Sequence, residues 1–200
     1  VINNIGRSAS LYLVKNIFFF LLTILSLIFA LPIPFGPAGL SVVNALTIGI
    51  PSFVLAMEPN KALVKGRFLP GVLYRALPAA LTDLLLVLGL LVFYQVLELP
   101  EDSLRAAATA VMAVVGLWMV HRVSRPFTAL RKVLLALMTL GVLAAFLFLR
   151  PWFNIPDFGR QGLAVSVVFA LLAKPVMDWL SRGIEAVYAL FLKTRSEWDI

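Results

Sequence analysis

The sequence contains no cysteine and one histidine, and only 14% of its 200 residues are charged. The absence of cysteine excludes disulfide bonds and thiolate metal sites. His121 stands beside Arg122 near the predicted end of a helix, so no serine–histidine–acid triad can be assembled around it. A glycine-rich phosphate loop preceding a helix is also missing. The chain therefore has no recognisable machinery of its own for bond cleavage.

Apolar residues are abundant instead. They make up 62% of the chain, and the mean hydropathy is +0.99. Soluble domains are about 45–50% apolar and about 25% charged, so this composition indicates an integral membrane protein that lies in a lipid bilayer. A bilayer core about 30 Å thick requires roughly 20 mostly apolar residues per helix. The predicted fold is therefore all-α, a single polytopic domain with six transmembrane helices near residues 10–31, 38–57, 72–97, 104–120, 130–149 and 162–180 and a cytoplasmic tail at 181–200.

The positive charges are distributed unevenly between the two predicted sides of the membrane. The net charge is +7, but the cations lie in short connections between apolar runs and not on a polar domain, which argues against nucleic acid as a partner. One side carries Arg105, Arg150 and Arg160. The other side carries the remaining fourteen, namely Arg7, Lys15, Lys61, Lys65, Arg67, Arg75, Arg122, Arg125, Arg131, Lys132, Lys174, Arg182, Lys193 and Arg195. The positive-inside rule then predicts that both termini are cytoplasmic.

The second apolar segment carries Asn44, Thr47, Gly49 and Pro51 near its centre. Pro51 has no amide hydrogen, and Gly49 lowers the cost of unwinding, so we expect this helix to be unwound between Gly49 and Pro51. In lipid, an interrupted helix is tolerated where protein or a polar cavity satisfies the freed backbone groups. Two interpretations remain open: a proline-kinked helix sealed by its neighbours, and a cation site of the kind found in ion transporters.

Other polar residues lie within the predicted spans. Asn16 shares a helical face with Thr23 in the first span. Asp83 lies in the third span on a face of small residues, which favours packing against other helices over contact with lipid. It is either a structural polar contact or a transport residue, and it would lie near the inner interface if the helix began at Pro78. Lys174 and Asp178 have the spacing of a helical ion pair.

Three short runs resemble P-type cation-transporting ATPases. The run Asn3-Asn4-Ile5-Gly6-Arg7, followed nine residues later by Asn16, resembles the entry to the fifth transmembrane helix of these pumps. The run from Val43 to Pro51 is similar to the sixth helix, where calcium pumps have Asn, two residues, Thr-Asp-Gly, any residue and Pro. Leu55-Ala56-Met57-Glu58-Pro59-Asn60 resembles the exit from that helix. The specific motifs cover only the first sixty residues, and the bacterial branch labelled cation-transporting ATPase E is the most similar.

The resemblance implies which residues bind the transported cation. Asn16, Asn44 and Thr47 match coordinating positions of the calcium pumps, whereas Phe19 and Ile48 stand where those pumps have Glu and Asp. Hard divalent cations prefer oxygen ligands that include carboxylates, so this loss implies fewer ions per cycle, or a site completed by the fourth helix of the family. Calcium is the cation that the resemblance favours, and magnesium or a monovalent cation is the alternative.

The family's phosphorylated Asp-Lys-Thr-Gly motif and Gly-Asp-Gly hinge motif are not in this sequence. The resemblance therefore implies the carboxy-terminal membrane half of a bacterial plasma-membrane pump, helices five to ten. Its partners would be the cytoplasmic and N-terminal membrane domains of the same polypeptide, which would bind ATP and Mg²⁺. Such a segment alone would not be an enzyme. The alternatives are a stand-alone six-helix secondary transporter or channel and a non-catalytic membrane scaffold.

Overall fold

The computed structural model describes residues 2–58 and 68–198, which contain helices and no strand. The helices are α1 (Ile2–Phe29), α2 (Pro37–Asn44), a π-helical segment (Ala45–Gly49), α3 (Ile50–Met57), α4 (Phe68–Val96), α5 (Glu101–Val123), α6 (Ala129–Leu147) and α7 (Gly159–Trp198). Since α2, the π-helical segment and α3 follow one another without a break, the described residues form six helices long and apolar enough to cross a membrane. The all-α fold with six spans is thus confirmed.

The helices extend further than the apolar segments predicted. The first begins at Ile2 instead of near residue 10, and α7 continues to Trp198. Most of the predicted tail is therefore helical, while residues 199–200 lie outside the described part, as do 59–67. Hydropathy marks only the stretch suited to lipid, whereas helices also continue through charged residues such as Arg and Lys, whose helix propensity is high.

Two helices form the centre of the bundle. More than half of the membrane-crossing stretch of α4 and of α5 is buried, as expected for helices packed against several others, although α4 keeps an exposed stripe that includes Leu85 and Val92. Much of the buried face of α5 consists of alanine, which lets the neighbouring backbones approach closely. The outer helices α1, α6 and α7 instead present large exposed apolar side chains such as Phe20, Leu140 and Leu171, which suits contact with lipid.

The residues of the two predicted sides meet at opposite ends of the bundle. At one end, called here the basic end, Arg131 pairs with Glu58, and Arg7 donates to the carbonyl of Arg125. At the other end Arg150 pairs with Asp157 at 2.5 Å. The Arg150 guanidinium holds the pKa of the exposed Asp157 carboxyl below its usual value through a hydrogen bond and its charge.

The interruption of the second span differs from the prediction. Gly49 and Ile50 keep right-handed helical angles, and α3 includes Pro51, so the chain is not unwound there. The helix instead widens one turn earlier, where the Ile50 N–H donates to the carbonyl of Ala45. Pro51 cannot donate to the turn before it, and a π-helical turn accommodates this missing hydrogen bond while the helix stays continuous.

Candidate functional site

A cavity of about 20 Å³ lies where the π-helical segment faces α1, α4 and α5. Its polar lining comes from Lys15 of α1, Asn44 and Thr47 of the second span, and Asp83 of α4. A cavity needs about 10–15 Å³ to hold one water molecule, so this one has room for a single particle of that size. Asn44 and Thr47 are three residues apart in the same span, so their side chains lie on one helical face, and both residues line the cavity.

The cavity contains oxygen atoms that no protein group satisfies. Oδ1 of Asn44 and Oδ1 of Asp83 are both buried and have no hydrogen-bond partner among the residues that the structure describes. The Thr47 hydroxyl donates to the carbonyl of Val43 at 2.8 Å, which leaves its oxygen lone pairs able to accept. Buried polar groups without partners are costly, so such atoms call for an explanation such as an ion or a water. Amide, hydroxyl and carboxylate oxygens are the ligands that hard cations take.

Asp83 lies deep in the bundle. It is 2% exposed, and α4 begins at Phe68, so Pro78 lies inside the helix and does not start it. The Thr82 hydroxyl donates a hydrogen bond to the Pro78 carbonyl at 2.7 Å. The alternative that Asp83 lies near the inner interface is therefore wrong. Asp83 therefore lies among packed helices, where an acidic side chain calls for a partner.

Lys15 also lines the cavity, although the sequence pattern indicated only that it is one of the cations on the predicted cytoplasmic side. It lines the cavity together with Leu11 and Val14 of the same helix. Its ammonium lies 6.0 Å from the centre of the Phe19 ring. The signal in the sequence was a lysine inside an apolar span, where charged residues are rare and tend to face a cavity or a partner.

Asn16 does not share this cavity. Its side chain is exposed, as is that of Thr23 on the same helical face. Phe19 stands where the calcium pumps have a Glu. Its ring packs edge-on against Phe18 and Phe35. Ile48, the other such position, is buried and lines the cavity. The structure thus brings together Asn44, Thr47 and Asp83 and leaves Asn16 apart from them.

Carboxylates and imidazoles are sparse around the cavity. Among residues 2–58 and 68–188, no group of three or more His, Cys, Asp and Glu side chains could hold a metal ion. His121 lies at the basic end between the rings of Trp118 and Phe127. The predicted pair of Lys174 and Asp178 forms at 3.1 Å on the exposed surface of α7. Asp83 is thus the one acidic side chain that lines the cavity.

Comparison with curated proteins finds bacterial cation transporters. The chain is 29% identical over 192 residues to the probable cation-transporting ATPase exp7 of Streptococcus pneumoniae, a match that covers 87% of this chain and 25% of the relative. It is 32% identical over 160 residues to the calcium-transporting ATPase CtpE of Mycolicibacterium smegmatis, covering 73% of this chain and 20% of the relative. The CtpE protein of Mycobacterium bovis is 28% identical over 146 residues.

The matches set the scope of the relationship. The chain spans about a quarter of the length of these relatives or less. No protein-family model matches it, and no solved structure does. The six apolar helices are what a segment of a membrane transporter requires, and the similarity to these relatives extends over most of the chain. The chain is thus a membrane-domain segment homologous to part of the bacterial P-type cation-transporting ATPases.

Proposed function

We propose that this chain forms part of the ion pathway of an ATP-driven cation pump and that the cation occupies the cavity beside the π-helical segment. The observation that carries this proposal is the pair of buried, unpartnered oxygens, Oδ1 of Asn44 and Oδ1 of Asp83, in one cavity with the Thr47 hydroxyl. A dehydrated cation would satisfy all three groups. Asp83 would supply the negative charge that compensates for dehydration, and the two neutral oxygens would complete the coordination on one side.

The proposed cation is calcium. Two observations support this choice: the donors are all oxygen, which hard cations prefer, and the CtpE relatives are named calcium-transporting. One carboxylate and two neutral oxygens from this chain leave coordination positions open. A helix outside this chain would then complete the site, and the domains that bind ATP and Mg²⁺ would belong to the rest of the polypeptide. Asn16 remains a predicted ligand, although its exposed side chain would need partners from outside the chain.

The test measures calcium-dependent phosphoenzyme formation from ATP in the intact protein that contains this chain. Asn44→Ala, Thr47→Ala and Asp83→Asn should each raise the calcium concentration for half-saturation by on the order of 10–100-fold, as losses at metal sites generally do. The matched control is Thr139→Ala. Thr139 makes the same bond to the carbonyl four residues back, to Leu135 at 2.8 Å, but it does so in α6 and does not line the cavity. Unchanged calcium dependence in all three cavity variants would overturn the site.

We further propose that the basic end faces the cytoplasm, because fourteen of the seventeen cations lie on the predicted side that meets there. This chain contributes no cysteine, so once any cysteines elsewhere in the intact protein are replaced, a single introduced cysteine reports one position. In intact cells, an impermeant maleimide should label Trp152→Cys, at an 86% exposed site of the opposite end, and should not label Lys132→Cys. Labelling of Lys132→Cys but not Trp152→Cys in cells with an intact membrane would reverse the proposed orientation.

A further inference from the structure

Four arginines converge on a second cavity, of about 260 Å³, at the basic end. Arg7 comes from α1, Arg75 from α4 and Arg122 from α5, while Arg125 follows α5 directly. We call this cavity, with Ser181 and Glu185 of α7 on its wall, the arginine pocket. It is separate from the candidate cation site, with which it shares only the side chain of Met119.

The arginines of this pocket are held by neutral groups. Within residues 2–58 and 68–188, none of the four forms an ion pair with a carboxylate. Arg7 donates to the Arg125 carbonyl at 3.1 Å, and Arg122 donates to the Ser181 hydroxyl at 2.6 Å. Arg125 lies 3.1 Å from the His121 ring nitrogen.

The charge in the pocket is not balanced. Glu185 is the one carboxylate on the wall, so four guanidinium groups and one carboxylate leave a charge of about +3. The nearby Glu58 is already paired with Arg131. One guanidinium nitrogen, Nη1 of Arg7, is buried and has no hydrogen-bond partner within the described part of the chain. Like charges on a shared cavity repel each other, and an unpartnered buried donor is costly, so both features favour a bound anion.

We propose that the arginine pocket binds a phosphate-bearing anion, supplied by the headgroup of an anionic phospholipid or by soluble phosphate. The planar guanidinium fork matches the geometry of phosphate oxygens and binds them through two hydrogen bonds at once. A cavity of about 260 Å³ exceeds the ~30 Å³ that one water occupies in the liquid several-fold, so it accommodates a phosphate group. Arg7, Arg75 and Arg122 lie near one end of their helices, at the basic end of the bundle, where lipid headgroups would meet a protein that spans the bilayer.

The test uses the intact protein, purified in detergent and freed of native lipid. The probes are dioctanoyl phosphatidylglycerol, dioctanoyl phosphatidylcholine and inorganic phosphate, and the readouts are the shift in Tm and the bound probe counted by native mass spectrometry. Phosphatidylglycerol should raise Tm in a saturable way. In Arg75→Gln/Arg122→Gln its apparent affinity should fall at least tenfold, because two charged donors are lost. Arg75→Lys/Arg122→Lys should lose less, since charge remains but the fork is gone.

The matched control is Arg105→Gln/Arg160→Gln, which removes the same charge from the opposite end and should leave the affinity unchanged. If inorganic phosphate gives the same shift and the glutamine pair abolishes it, the site binds soluble phosphate. If phosphatidylglycerol gives this shift and inorganic phosphate does not, the phosphate group comes from a lipid headgroup. Equal affinity in the wild type and the glutamine pair overturns the proposal, as does equal binding of phosphatidylcholine by all variants. Should the glutamine pair fail to fold, unchanged affinity in the lysine pair has the same meaning.

Discussion

Gly116 of α5 lies directly against Thr47 of the second span. A Cβ atom at position 116 would be 2.7 Å from the Thr47 Cβ and 2.8 Å from its hydroxyl oxygen. Real Cβ atoms essentially never approach so closely, and Thr47 is itself 2% exposed, so it has no room to retreat. The glycine thus allows α5 to seal one side of the cavity while the Thr47 hydroxyl keeps its position.

Gly116→Ala should therefore displace Thr47 and impair cation binding before it unfolds the protein. We expect a lower Tm and a calcium half-saturation raised several-fold, measured as calcium-dependent phosphoenzyme formation. The matched control is Gly71→Ala in α4, where an added Cβ meets nothing within 4 Å. Because alanine in a helix is favoured over glycine by roughly 0.5–1 kcal/mol, that control should be neutral or slightly stabilising. Equal behaviour of the two variants would contradict the close approach.

The buried ion pair at the basic end should be a major contributor to stability. Arg131 and Glu58 have side chains only 6% and 11% exposed, and Arg131 also donates to the Pro126 carbonyl at 2.7 Å. Removing one partner of a buried pair leaves an uncompensated charge, at a cost of about 3–5 kcal/mol. Glu58→Gln should therefore lower Tm strongly, and Glu58→Gln/Arg131→Gln should recover part of the loss.

The comparison for this prediction is the exposed pair of Lys174 and Asp178. Their side chains are 57% and 44% exposed, and pairs of this kind contribute about 0–1 kcal/mol. Asp178→Asn should therefore change Tm little. A Glu58→Gln variant with the Tm of the wild type would show that the pair at the basic end is not needed to hold α3 against α6.

Hydropathy was enough to predict the six spans, because the cost of lipid-exposed polar groups fixes where a helix can cross the bilayer. The position of the π-helical segment was not predictable in the same way. Gly49 and Pro51 marked the interruption, but the hydrogen bonds rearrange one turn earlier, at Ala45, so the missing amide hydrogen alone does not give the position of the wider turn. The resemblance to the calcium pumps predicted Asn44 and Thr47 as ligands, and both residues line the cavity. The resemblance could not place Asn16 relative to them, since that depends on the rotation of α1 in the bundle.

Lys15 should weaken cation binding in the cavity. Its side chain lines the same cavity as Asn44 and Asp83, so a cation bound there would be repelled by the positive charge of Lys15. Lys15→Met retains most of the apolar length of the side chain and should lower the calcium half-saturation in the phosphoenzyme assay several-fold. Lys132→Met, on the exposed face of α6, is the control for loss of charge. Weaker calcium binding in Lys15→Met would instead mean that Lys15 helps to hold the site together.

Ile48 offers a test in the opposite direction, because it is where the calcium pumps have an Asp. It is 8% exposed and borders the cavity with Lys15 and Asp83. A carboxylate there would lie at the cavity beside the bound cation, and an opposite charge lowers the cost of a charge within the membrane. We therefore expect Ile48→Asp to be expressed and folded, with altered calcium affinity and altered preference among calcium, magnesium and monovalent cations.

Ile50 is the matched control for this variant, because it is two residues away in the same span but 43% exposed on the outer surface. An Asp there would face lipid or a neighbouring helix without a cation, at a cost of about 2.5–3.5 kcal/mol near the bilayer centre. Ile50→Asp should thus be poorly expressed or have a markedly lower Tm. If Ile48→Asp is lost in the same way while Asn44→Ala and Thr47→Ala leave transport intact, then the cavity is dry packing and the cation passes elsewhere in the protein.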